Sequence, residues 1–114
     1  DSVAIRLAYA ESLQRLGRNK EAVALLDELA KGPLREPGIY EMMAKSYAAL
    51  GQRTQQHRAL AESYLLRGSL PAAIEQLQFA QAAADTDFYT LSAIDARLRE
   101  LKAQQVQAMK ERRQ

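Results

Sequence analysis

The sequence predicts an all-α chain of about six helices stacked as antiparallel hairpins, and three observations carry that expectation. Gly17 and Gly51 stand 34 residues apart with matching apolar neighbours: Leu13 or Tyr47 four before, Ala10 or Ala44 seven before, Leu26 or Leu60 nine after. The same frame recurs at Gly68, with Tyr64 four before, Ala61 seven before, and Ala73, Leu77 and Ala80 after it. That third glycine follows Gly51 by only 17 residues. Between the glycines, apolar residues return at steps of three and four, the period of a half-buried helix.

A first helix is expected from about Val3 to Leu16, with Ile5, Leu7, Leu13 and Leu16 apolar and Gly17 closing it in a left-handed cap. A second runs from about Asn19 to Lys31, with Asn19 able to cap it and Ala22, Val23, Leu25, Leu26 and Leu29 as a wide buried stripe. Two prolines and two glycines between Gly32 and Gly38 then break the helical pattern. Helix three covers about Ile39 to Leu50 and helix four about Thr54 to Arg67, separated by Gly51. Helix five follows Gly68, with Ser69 as N-cap and Pro71 in the first turn, where a missing amide is harmless. Asp85-Thr86-Asp87 reads as a turn and cap. A long sixth helix follows from about Phe88 to near Arg112, its seam formed by Leu91, Ile94, Leu98 and Leu101.

The 34-residue spacing is the tetratricopeptide period. It predicts a short right-handed solenoid in one domain spanning 1–114, with repeat one at 3–36, repeat two at 37–68, an overlapping third repeat at 54–85 and the terminal helix at 87–112. The overlap arises because the half-period step reads helix four twice, as the end of one repeat and the start of the next. Close helix crossings need small side chains, which assigns Ala10, Ala44 and Ala61 to the contacts with Ala73 and Ala80 opposite. Leu13, Tyr47, Tyr64 and Leu77, with Gly17, Gly51 and Gly68, complete the expected packing set. Gln56 stands where the repeat normally holds a small apolar residue, so repeat two is imperfect.

Composition narrows the function. Apolar residues make up 47% and charged residues 26%, too apolar for a disordered tail. The chain starts at Asp1 without a methionine, which suggests a piece excised from a longer protein. No cysteine is present and His57 is the single histidine, so thiolate sites and two-histidine zinc motifs cannot be assembled from this segment. His57 is read as a packing or surface residue. The glycines are scattered at helix ends rather than gathered in a phosphate loop, and the adjacent acids Asp27 and Glu28 point apart on a helix. No catalytic, cofactor or metal site is therefore expected within this segment. Residues 97–114 hold six Lys or Arg against two Asp or Glu, but no aromatic side chain for base stacking, so nucleic-acid binding is not expected. Cations suit a helix C-terminus.

A binding surface remains. The first helices of stacked hairpins line a concave side, and register places Leu7, Glu11 and Gln14 beside Glu41, Lys45 and Ala48 there. This is a mixed, shallow groove for a protein partner. It offers Lys45 but no asparagine, so capture of a terminal carboxylate is not expected. Leu7 and Ala48 could instead face another repeat, and the long last helix could support self-association.

The run His57-Arg58-Ala59-Leu60-Ala61-Glu62-Ser63-Tyr64, then Arg67-Gly68-Ser69-Leu70 and Ala73-Ile74-Glu75-Gln76-Leu77, is more particular than a generic repeat. Together with Asp87-Phe88-Tyr89 and Ile94-Asp95-Ala96-Arg97-Leu98-Arg99-Glu100-Leu101, it resembles the C-terminal tetratricopeptide domain of periplasmic zinc metalloproteases related to the beta-barrel assembly-enhancing protease. The resemblance covers about residues 5–103. It implies a Gram-negative periplasmic location and a preceding catalytic domain with a His-Glu-x-x-His zinc helix, which would hold the only zinc. It further implies recruitment of outer-membrane assembly machinery or misassembled outer-membrane clients. The alternative is a stand-alone scaffold of another envelope or secretion assembly.

Overall fold

A computed structural model describes residues 2–33 and 35–113. Six helices occupy them: α1 Val3–Arg15, α2 Asn19–Ala30, α3 Pro37–Ala49, α4 Arg53–Leu66, α5 Leu70–Ala82 and α6 Phe88–Arg112. No strand occurs among the described residues. Each helix packs on the next in chain order, and α1 also touches α3. The expected bounds hold to within about two residues. α3 begins at Pro37 rather than Ile39, because a proline is well tolerated in a first helical turn. Leu34, in the expected turn, lies outside the described residues.

The three framing glycines act through their backbone. Gly17, Gly51 and Gly68 have φ of +75°, +72° and +80°. In each case the glycine amide donates to the carbonyl three residues back, and the following amide donates to the residue five back: Arg18 to Leu13 at 2.8 Å, Gln52 to Tyr47 at 2.9 Å and Ser69 to Tyr64 at 2.9 Å. This is the Schellman closure, which satisfies two orphan helix carbonyls with one left-handed residue. A Cβ built at any of the three would meet nothing within 4 Å. Their expected packing role is thus corrected to a conformational one. Leu13, Tyr47 and Tyr64 recur four residues earlier as the third-from-last helical position, whose carbonyl closes the motif.

Two apolar clusters hold the array together. One joins Ala10, Leu26, Leu29, Ile39, Met43, Ala44 and Ala59 from α1 to α4. The other joins Ala61, Ala73, Ile74, Leu77, Ala80, Ile94, Leu98 and Leu101 from α4 to α6. α4 belongs to both. Ala59 and Ala61 are two residues apart, roughly 200° around a helix, so each faces a different cluster. The half-period step at Gly68 has this physical meaning: α4 is apolar on two sides because it packs on both α3 and α5.

The small residues expected at crossings, Ala10, Ala44, Ala61, Ala73 and Ala80, are all buried, as are Leu13 and Leu77. Tyr47 is half-buried. Tyr64 is covered over most of its surface, with 37% left exposed. Ile5 and Leu16 are likewise surface residues at 66% and 70% exposure, since α1 has no helix packed on its outer side. Of the α6 seam, Ile94, Leu98 and Leu101 are buried and Leu91 is half-buried. Past Leu101 the helix carries exposed Val106 and Met109.

Capping departs from the sequence reading in an instructive way. Ser69 is the N-cap of α5, yet its side chain makes no capping bond. Asn19 does not cap α2; it sits one position inside, and its Oδ1 accepts from Ser46 Oγ at 2.9 Å. Asp87 caps α6 as expected, accepting from the Thr90 amide at 2.7 Å. Asp85 does something the sequence does not announce. Its Oδ1 accepts from the Thr54 amide at 3.1 Å and from Thr54 Oγ1 at 2.6 Å, capping α4 from 31 residues away.

Candidate functional site

α1 and α3 touch along one side of the array, and a groove of about 500 Å3 opens along them. Leu7, Glu11, Gln14, Glu41 and Lys45 line it, joined by Glu36, Gly38, Ile39 and Met42. Five of the six groove residues expected from register are therefore brought together. Ala48 is exposed but stands outside the lining, one turn beyond the groove's end.

Not all five are available to a partner. Gln14 Nε2 donates to the Met42 carbonyl at 2.7 Å and to Ser46 Oγ at 2.8 Å, and the Ser46 hydroxyl in turn donates to Asn19 Oδ1. That network pins α1 and α2 to α3, so Gln14 belongs to the scaffold. Glu41 Oε2 accepts from Ser63 Oγ at 2.9 Å and from Arg67 Nε and Nη2 at 3.0 and 2.7 Å. The Arg67 fork, then the Ser63 hydroxyl, hold the Glu41 carboxyl below its usual range. Glu41 thus ties α3 to α4. Glu11 is paired with Arg15 at 3.2 Å on its own helix, an exposed contact of little energy. Lys45 is exposed and meets no carboxylate among the described residues. With half-buried Leu7 and Met42 beside it, Lys45 is the group best placed to read a ligand.

His57 is a packing residue: its Nδ1 lies 2.8 Å from Gln76 Oε1, and its ring centroid stands 5.4 Å from that of Phe79. Among the described residues no group of three or more His, Cys, Asp or Glu side chains could hold a metal ion. No helix is long and apolar enough to cross a membrane among them. The basic end is a solvated helix terminus, with Lys110 and Arg112 in the last turn of α6.

The register argument missed a second concavity. A cleft of about 400 Å3 lies between α2, α4 and α6, with Tyr40, Met43, Tyr47, Arg58, Glu62 and Arg97 on its walls. The signal was present. Leu7 and Glu41 stand ten residues before Gly17 and Gly51, and Glu11 and Lys45 six before; the same offsets from Gly68 give Arg58 and Glu62. Phe88 and Tyr89, stacked edge to face at 6.0 Å, are also exposed at the start of α6. No protein-family model matches the sequence.

Proposed function

We propose that this chain is a non-catalytic interaction domain of tetratricopeptide type. It would serve a periplasmic zinc metalloprotease by recruiting outer-membrane assembly components or misassembled outer-membrane clients. Two things support the reading. The resemblance runs, His57 to Tyr64 and Ile94 to Leu101, fall on α4 and α6, which form the second cluster together with α5. The observation that carries the binding role is the α1/α3 groove, where equivalent positions of two repeats, Leu7 with Glu41 and Glu11 with Lys45, line one concavity. In this reading the successive helices form a right-handed solenoid, and its concave side presents Lys45 and an apolar floor to an extended segment of a partner.

The test uses the full parent protein in cells. A photo-crosslinking amino acid at Lys45 or Leu7 should yield adducts with outer-membrane assembly proteins or their clients. Lys45→Glu should diminish adducts formed from Leu7 while leaving helicity unchanged. Absence of such adducts from both positions would sink the groove reading. The protease attachment is tested separately, by whether the sequence upstream encodes a His-Glu-x-x-His helix.

A further inference from the structure

The cleft between α2, α4 and α6 is not a continuation of the α1/α3 groove. On α3, Tyr40, Met43 and Tyr47 face the cleft, while Gly38, Glu41, Met42 and Lys45 face the groove. At 100° per residue the two sets centre roughly 180° apart. The switch of frame at α4 is what turns the recognition positions to the other side: Arg58 and Glu62 occupy on α4 the offsets that Leu7 and Glu11 occupy on α1.

The chemistry of the cleft is specific. Arg97 Nη2 stands 3.6 Å from Glu62 Oε1 and Arg97 also pairs with Glu100, while Asp27 at the rim pairs with Lys31 at 3.0 Å. Arg58 is half-buried and has no such partner; its Nη1 donates only to Gln55 Oε1, at 3.3 Å. No carboxylate lies within ion-pair distance of it among the described residues. Beside it the Tyr40 and Tyr47 rings and Met43 form a half-buried to buried apolar wall. Burial, with Asp27 adding to it, raises the Tyr47 hydroxyl's pKa against the opposing charge of Arg58, so this hydroxyl is a neutral donor at physiological pH. Asp87 feels the charge of Arg58 from beyond ion-pair distance, and a cation with no ion-pair partner next to an apolar wall selects an anion carried on an apolar segment. Arg58 sits mid-way along the lining of α4, with Gln55 before it and Glu62 after it. A bound chain would therefore pass Arg58 rather than end there, which points to a side-chain carboxylate.

We propose that this cleft is a second peptide-binding site. It takes an extended segment with an Asp or Glu beside an aliphatic or aromatic residue, the carboxylate pairing with Arg58 and the apolar side chain lying against Tyr40, Met43 and Tyr47. The site is distinct from the α1/α3 groove and does not depend on it.

Binding is read by amide chemical-shift titration of the whole chain with three probes: acetyl-Ala-Leu-Glu-Phe-Ala-amide, the same blocked peptide with Gln for Glu, and that Gln peptide with a free C-terminus. The blocked Glu peptide should shift the amides of Tyr47, Ala59 and Ala93, and its affinity should exceed that of the blocked Gln peptide by roughly tenfold, as a charge-assisted pair implies. Arg58→Gln should abolish that difference, Arg58→Lys should retain part of it, and Lys45→Glu should leave it intact. The proposal is overturned by the absence of shifts, by shifts confined to the groove around Leu7 and Met42, or by equal binding of the two blocked peptides. Tighter binding of the free-terminus peptide would overturn the side-chain assignment. The peptide comparison uses the unaltered protein, so it stands even if Arg58→Gln fails to fold.

Discussion

The junction of α1 and α2 with α3 and the junction of α4 with the α5–α6 turn are both pinned by buried polar side chains, but with different chemistry. The first is neutral: Gln14, Ser46 and Asn19 hand hydrogen bonds along a chain around the fully buried Ser46 hydroxyl. The second is charge-assisted: the carboxylate of exposed Asp85 accepts from buried Thr54, and Thr86 Oγ1 stands 2.6 Å from Thr54 Oγ1. A neutral network fixes register at every pH. A carboxylate cap fixes it only while ionised. Of these two junctions the one at the α5–α6 turn is therefore the acid-sensitive one, although the apolar cluster beside it is no smaller than the other.

The comparison is broken most forcefully in the cores. Leu26→Ala in the first cluster and Leu98→Ala in the second should each cost about 2–5 kcal/mol, the range for a buried leucine, read by denaturant unfolding. Because α4 is shared, either variant should still unfold in a single transition. Two separated transitions would show the clusters to be independent. Overpacking comes next: Ala44→Leu should cost about 1–3 kcal/mol, and an unchanged midpoint would refute its place in the first apolar cluster. At Gly51 the space is open, so Gly51→Ala isolates the backbone effect and should cost about 1–2 kcal/mol from positive φ alone.

The acid response sharpens the contrast. Thr54 Oγ1, followed by backbone donors, lowers the Asp85 pKa from an ordinary 3.8, and the Thr90 amide does the same for Asp87. A folded-state value below the unfolded one means the contribution is whole above the ordinary carboxylate range. It shrinks as pH falls through that range and is lost below the lowered value. Asp85→Asn should therefore lower the melting temperature at pH 7, by an amount that shrinks as pH falls through the ordinary carboxylate range, whereas the effect of Ser46→Ala should not change with pH. A pH-independent effect of Asp85→Asn would remove the cap from the account. The smallest effect is expected from ending the chain after Lys102. Leu101 is the last buried side chain among the described residues, so cooperative melting should survive.

Glycine spacing made the six helices legible because a left-handed closure is a local event, encoded by one residue and its four predecessors. The alanines at crossings were legible for a similar reason, since a close crossing leaves no room for anything larger. What sequence could not disclose were bonds between residues 22 to 32 positions apart: Glu41 to Ser63, Gln14 to Ser46, Thr54 to Asp85. Glu41 and Gln14 look like free groove residues until the neighbouring helix arrives. Asn19 looks like a cap until Ser46 claims its oxygen. Arg58 and Glu62 lie on the helix that the overlapping repeat reads twice, but the expected groove draws only on the first two repeats, and so the face they share with α6 goes unassigned.

The central claim is that α4 serves two frames at once and couples the two clusters. Native-state hydrogen exchange on Leu26→Ala tests it most directly. If the coupling holds, the protection of the Ile94 and Leu98 amides falls by as much as that of amides in α2 and α3. If α2 and α3 lose protection while Ile94 and Leu98 keep theirs, the two halves are separate and α4 does not join them.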